Sequence, residues 1–158
     1  MALIPRSFRL RMELDYFEKG DPEEVKAGTV NTNISCGLGP GLSEVGFTGG
    51  QYDTQMEFWD ASIIGPQSTN IGDRIYRIAI RCGAAYPDQP PEVRFVNKIN
   101  MPHVDQSTGR VDVRAFCPGG SWRRDMTMMT VLREIFKAMA PAAKTSQPAR
   151  DSTYPDKW

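Results

Sequence analysis

Apolar positions recur with two different periods along this chain, and each change of period marks an element. Leu10, Leu14 and Phe17 recur at i, i+4 and i+7, which predicts a helix over residues 5–19. Pro5 and Ser7 suit its start and Gly20 its stop. Phe8, Leu10, Met12 and Leu14 also alternate as a strand would, but Arg, Leu, Met and Glu dominate the stretch and favour the helix. Phe8 falls at the edge of the helical stripe, either as a peripheral core residue or as an anchor for another protein. Residues 21–28 read as a charged turn.

The period then falls to two. Residues 29–38, 55–64, 74–82 and 92–96 read as β-strands. In the second, Trp59, Ala61 and Ile63 form one face, and Phe58, Asp60, Ser62 and Ile64 the other. In the third, Tyr76, Ile78, Ile80 and Cys82 oppose Ile75, Arg77, Ala79 and Arg81, whose arginines mark the wet face. Ser62 and Ile75 therefore both point outward. Ile75 is an apolar residue on a polar face: a candidate contact for a partner, or a scattered surface isoleucine. Gly65-Pro66 ends the second strand, and Tyr86 to Pro91 forms a stiff turn before the fourth. Short strands joined by loops predict an antiparallel meander, and the chain as a whole an α+β fold.

Residues 37–51 hold six glycines and Pro40. Gly37-Leu38-Gly39-Pro40-Gly41 lacks the following Lys-Ser/Thr and helix of a phosphate cradle, so it reads as a hairpin loop. Residues 99–122 show little periodicity, and a loop this long in a compact domain is functional or disordered. Residues 127–140 return to a helical period, with Met128, Met129, Leu132, Ile135, Phe136 and Met139 on a wide apolar stripe. Asp125 or Thr127 can cap this helix and Pro141 stops it. Residues 141–158 have no period and read as a docked or mobile tail, which leaves one domain over residues 1–140.

Composition narrows the classes. Lysine plus arginine and aspartate plus glutamate are 19 each, so the net charge is zero, which argues against an electrostatic nucleic-acid or anionic-membrane binder. Three scattered cysteines and one histidine form no common metal set and fit a reduced intracellular setting, so neither metal nor cofactor is expected. No apolar run reaches the roughly 20 residues of a membrane span.

The long loop contains the one histidine, His103, together with Cys117 and Trp122. Tyr86-Pro-x-x-Pro-Pro-x-Val-x-Phe95, Ile64-Gly-Pro66 and Trp122 before a helix resemble the ubiquitin-conjugating enzyme fold. The resemblance implies an N-terminal helix, a four-stranded antiparallel meander, a long active-site loop and a following helix. Active members carry His-Pro-Asn and then Gly-x-Ile-Cys in that loop, the cysteine holding ubiquitin as a thioester. Here Met101-Pro102-His103 and Gly109-Arg110-Val111-Asp112 stand in those places. Asp112 cannot replace the thiol, because an aspartyl acyl bond would be an anhydride, too labile to carry. His103 is then a substitute oxyanion donor with nothing to serve, or a solvated loop residue. Cys117 lies five positions beyond Asp112 and is the alternative nucleophile.

The chain is more similar still to the ubiquitin-conjugating enzyme variants that partner an active conjugating enzyme. Pro5-Arg6-Ser7-Phe8-Arg9-Leu10, Asp73-Arg74-Ile75-Tyr76 and Phe95-Val96-Asn97-Lys98-Ile99-Asn100 carry this likeness. So does the lack of an apolar helix after Ala140, where active members have two further C-terminal helices. The resemblance implies a catalytically inactive subunit that binds its partner through Arg6 and Phe8. It implies acceptor ubiquitin held non-covalently at Ser35, Ser62 and Ile75, so that chains used in signalling and DNA-damage tolerance are made on the partner. It implies a cytoplasmic and nuclear protein. The glycine-rich residues 39–51 are longer than usual in the family and bear on the match at Ser35. The alternative function is a stand-alone ubiquitin-binding module.

Overall fold

The computed structural model describes residues 4–28, 33–39 and 56–155. Helix α1 spans Arg6–Lys19, a short α2 spans Pro22–Ala27, and four strands follow: β1 Ile34–Leu38, β2 Phe58–Ile64, β3 Ile75–Arg81 and β4 Glu92–Phe95. Helix α3 runs over Met128–Ala142. The strands form one antiparallel sheet in the order β1-β2-β3-β4, the predicted meander. Expectations for residues 29–32 and most of the glycine-rich loop fall outside the described residues.

Alternation divides the sheet as predicted. Trp59, Ala61, Ile63, Tyr76, Ile78, Ile80, Val93 and Phe95 are buried on the inner face in one cluster with Leu10 of α1 and Leu132, Ile135 and Met139 of α3. Phe17 lies against Trp59 with ring centroids 6.2 Å apart, which seats α1 on that face. Full burial of each large apolar side chain stabilises the fold by roughly 1.5–3 kcal/mol. Gly65, after β2, admits no side chain, since a Cβ there would lie 1.9 Å from the Ile71 carbonyl oxygen.

The buried face of α1 is not wholly apolar. Arg9 and Glu13 are buried beside Leu10 and lie one turn apart. Glu13 accepts hydrogen bonds from the Tyr86 hydroxyl at 2.5 Å and from the Met128 N–H at 2.8 Å, so one carboxylate ties α1 to the β3–β4 connection and to the start of α3. Arg9 donates to the Met126 carbonyl. Burial raises the Glu13 pKa above the usual carboxylate range, against the lowering effect of its hydrogen bonds and of Arg9.

Two local expectations change and one open alternative is resolved. The charged turn at 21–28 is α2: Asp21 caps it by accepting from the Glu23 N–H, Pro22 opens it, and Gly28 closes it at φ +69°. Six residues are too few to show a period. Helix α3 does not stop at Pro141 but includes it in its last turn. Proline forfeits one hydrogen bond there, at an exposed position where the helix is ending anyway. The tail after α3 is docked as far as Pro155. Tyr154 N–H donates to the Val96 carbonyl, Lys98 N–H to the Ser152 carbonyl, and the buried Tyr154 hydroxyl to the Ile99 carbonyl.

Candidate functional site

Three groups of residues bear on function: the outer sheet face, the N-terminal segment and the long loop. On the sheet, register brings Ser35 opposite Ser62, Ser62 opposite Arg77, and Ile64 opposite Ile75. All of these side chains project from the face away from the core. Ser35 is exposed, Ser62 half-buried and Ile75 61% exposed. The structure thus gathers Ser35, Ser62 and Ile75 on one continuous surface.

Ile64 is also exposed there, at 41%, so Ile75 belongs to a cross-strand apolar pair. Alternation alone put Ile64 on this face; pairing it with Ile75 required the register across residues 65–74. At the Arg81 end of β3 the same face becomes charged, with Arg81 bonded to Glu57 at 2.7 Å and lying over the Phe58 ring. The tail covers the far edge, where Arg94 is only 1% exposed and donates to the Pro155 carbonyl. Near Ile75, Arg150 of the tail pairs with Asp73 at 2.6 Å and holds its carboxyl below the usual range.

Phe8, in the first turn of α1, is 63% exposed, which removes the peripheral-core reading. Arg6 behaves differently. Its guanidinium donates to the carbonyls of Cys82 and Gly83 at 2.7 and 2.9 Å, so it braces the segment against the β3–β4 connection.

The long loop is ordered by burial more than by secondary structure. Ile99, Met101, Val104, Val113, Phe116 and Cys117 all enter the core. Gly109 takes φ +80°, and a Cβ there would collide with the Phe95 carbonyl and the Tyr154 ring. Val104 and Val111 bridge, and beside them the Asp112 N–H donates to the His103 carbonyl at 2.9 Å. His103 and Asp112 are therefore neighbours, both exposed, with His103 at φ +68° and its ring edge-on to Phe116. Asp112 precedes a single 3-10 turn over Val113–Phe116. Cys117 is buried, its thiol donates to the Val113 carbonyl at 3.2 Å, and burial raises its pKa. Cys82 is buried and Cys36 half-buried, and burial raises both thiols as well. Among the described residues no group of three or more His, Cys, Asp or Glu could hold a metal ion, and no helix is long and apolar enough to cross a membrane.

An N-terminal helix, a four-stranded antiparallel meander, a long loop and a following helix define the ubiquitin-conjugating fold. The same fold is found in human ubiquitin-conjugating enzyme E2 G1, with a TM-score of 0.63 at 25% identity over 88% of this chain and 98% of that one. Residues 41–156 match the ubiquitin-conjugating enzyme family, and the chain belongs to that family as one of its variants. It is 38% identical to the ubiquitin-conjugating enzyme variant MMS2 of Saccharomyces cerevisiae, over 98% of this chain and 100% of that protein. It is 36% identical to ubiquitin-conjugating enzyme spm2 of Schizosaccharomyces pombe, over 98% of this chain and 99% of that one. Against the E2 variant 1C of Arabidopsis thaliana the identity is 36% over 88% of this chain and 83% of that one.

Proposed function

We propose that this chain is the non-catalytic subunit of a heterodimeric ubiquitin-conjugating enzyme. It binds an active conjugating enzyme and orients acceptor ubiquitin for the synthesis of non-degradative polyubiquitin chains on that partner. The observation that carries the reading is chemical. The loop presents Asp112 beside His103, and none of the chain's three cysteines is exposed. Thioester transfer needs an accessible thiolate, and a buried thiol with a raised pKa is a poor one.

Two exposed apolar features supply the alternative to catalysis. Phe8 on α1 is the anchor for the active enzyme, and it favours the heterodimer over a stand-alone ubiquitin-binding module. Ser35, Ser62 and Ile75 form the acceptor surface on the sheet. Holding one acceptor lysine near the partner's thioester turns a bimolecular encounter into an oriented one, the source of the rate gain. The pathway that uses such chains is DNA-damage tolerance, and the working compartments are cytoplasm and nucleus.

Incubation with activating enzyme, ATP and ubiquitin tests the non-catalytic claim. No adduct cleaved by reductant is expected on this chain, and such an adduct would overturn the proposal. Co-elution with an active conjugating enzyme of the same organism tests the heterodimer. Phe8→Ala is expected to weaken that complex, and an undiminished complex would remove Phe8 as the anchor.

A further inference from the structure

Helix α1 begins without the devices that usually hold a helix start. Its N-cap is Pro5, which offers no side-chain acceptor, and its first turn contains no acidic residue. Arg6 and Arg9 stand there instead, where the helix dipole disfavours cations. The segment is nevertheless fixed, from outside. Arg124, just before α3, donates to the Ile4 carbonyl at 2.7 Å with one nitrogen and to the Asp88 carboxylate with another. Asp88 sits on the same β3–β4 connection whose Cys82 and Gly83 carbonyls hold Arg6. That connection is itself pinned near Arg124, because Trp122 donates to the Pro87 carbonyl at 2.7 Å and its ring lies 5.9 Å from that of Tyr86. Two arginines thus clamp the chain on either side of Pro5, while Ile4 and Phe8 stay 50% and 63% exposed.

We infer that Arg124 is a positioning residue for partner docking: it holds the N-terminal segment on the β3–β4 connection so that Ile4 and Phe8 meet the active enzyme already ordered. The inference rests on the proposed role of Phe8. Ordering the segment beforehand removes an entropic cost that binding would otherwise bear. Arg124 itself makes no contact with the partner, and Ile4 becomes a second apolar contact beside Phe8.

The test uses the full chain with the conjugating enzyme that co-elutes with it, and the variants Arg124→Ala, Phe8→Ala and the double variant. Arg124→Ala is expected to raise the concentration of this chain giving half-maximal ubiquitin-chain synthesis about three- to tenfold. The rate at saturation should stay unchanged. The Arg9 and Leu10 amides should exchange with solvent faster. In the Phe8→Ala background, Arg124→Ala should cost less than it does in the wild-type chain, since only the Ile4 contact is left to position. Additive losses would mean that Arg124 touches the partner itself, and unchanged amide exchange would mean that no clamp exists; either overturns the inference. If Phe8→Ala weakens docking and Arg124→Ala does not, this inference alone fails. If Phe8→Ala has no effect, the docking reading fails and the inference with it.

Discussion

Ile64 and Ile75 face each other across β2 and β3 on a surface that also carries Ser35, Ser62, Asp60, Arg77 and Arg81. A cross-strand apolar pair adds roughly 0.2–1 kcal/mol to the sheet, and a covering partner would add the burial of what it leaves exposed. In the proposed acceptor role, burying the 61% of Ile75 that is exposed supplies about 1–2 kcal/mol. Ile75→Ala should therefore reduce chain synthesis at low ubiquitin by about 5–20-fold, leaving heterodimer binding as it was; unaltered synthesis would remove Ile75 from the acceptor surface. Glu13 makes a different prediction. Its folded-state pKa is raised, so the folded protein binds that proton more readily than the unfolded chain does. As pH rises from about 4.3 through the raised value, the wild-type protein should lose unfolding free energy relative to Glu13→Gln. Denaturation of both proteins across that range measures the difference, and parallel curves would contradict the buried-carboxylate account. The outward position of Ile75 was legible in the sequence from strict alternation. The burial of Glu13 was not, because a charge on a helix reads as solvated until Tyr86 and the Met128 N–H are brought to it from distant positions.

At the scale of elements, the tail does the most that periodicity cannot announce. Its hold includes backbone hydrogen bonds to Val96 and Lys98, one buried tyrosine, the pairing of Arg150 with Asp73, and hydrogen bonds from Arg74 and Arg94 to the Pro148 and Pro155 carbonyls. None of these produces an apolar stripe. Tyr154 fills space beside Gly109 while its hydroxyl bonds to Ile99, so Tyr154→Ala should cost about 3 kcal/mol of stability, measured by denaturant unfolding. A loss below about 1 kcal/mol, as at an exposed site, would show the tail to be dispensable. The four strands and their faces were legible, since alternation survives wherever one face is buried. Helix α2 was written in its caps, Asp21-Pro22 and Gly28, although not in any period. The long loop's order lies in scattered side chains such as Ile99, Met101 and Phe116, whose burial depends on the surrounding fold.

As a whole molecule, this chain has the ubiquitin-conjugating fold, and its proposed role dispenses with thioester chemistry on its own cysteines. Asp112 and His103 lie side by side on the loop, while among the described residues the large exposed apolar side chains are Ile4, Phe8, Val25, Ile64 and Ile75, none of them on that loop. The resemblance carried by Tyr86-Pro-x-x-Pro-Pro-x-Val-x-Phe95, Ile64-Gly-Pro66 and Trp122 made the fold readable in the sequence. The clamp at Arg124 was not readable, since it joins residues 120 positions apart. The most direct measurement of the central claim is a reconstituted synthesis reaction containing activating enzyme, ATP, ubiquitin and the co-eluting conjugating enzyme, run with and without this chain. Free polyubiquitin chains are expected only when this chain is present, with no ubiquitin thioester on this chain. Equal synthesis in its absence, or a thioester on this chain, would contradict the claim.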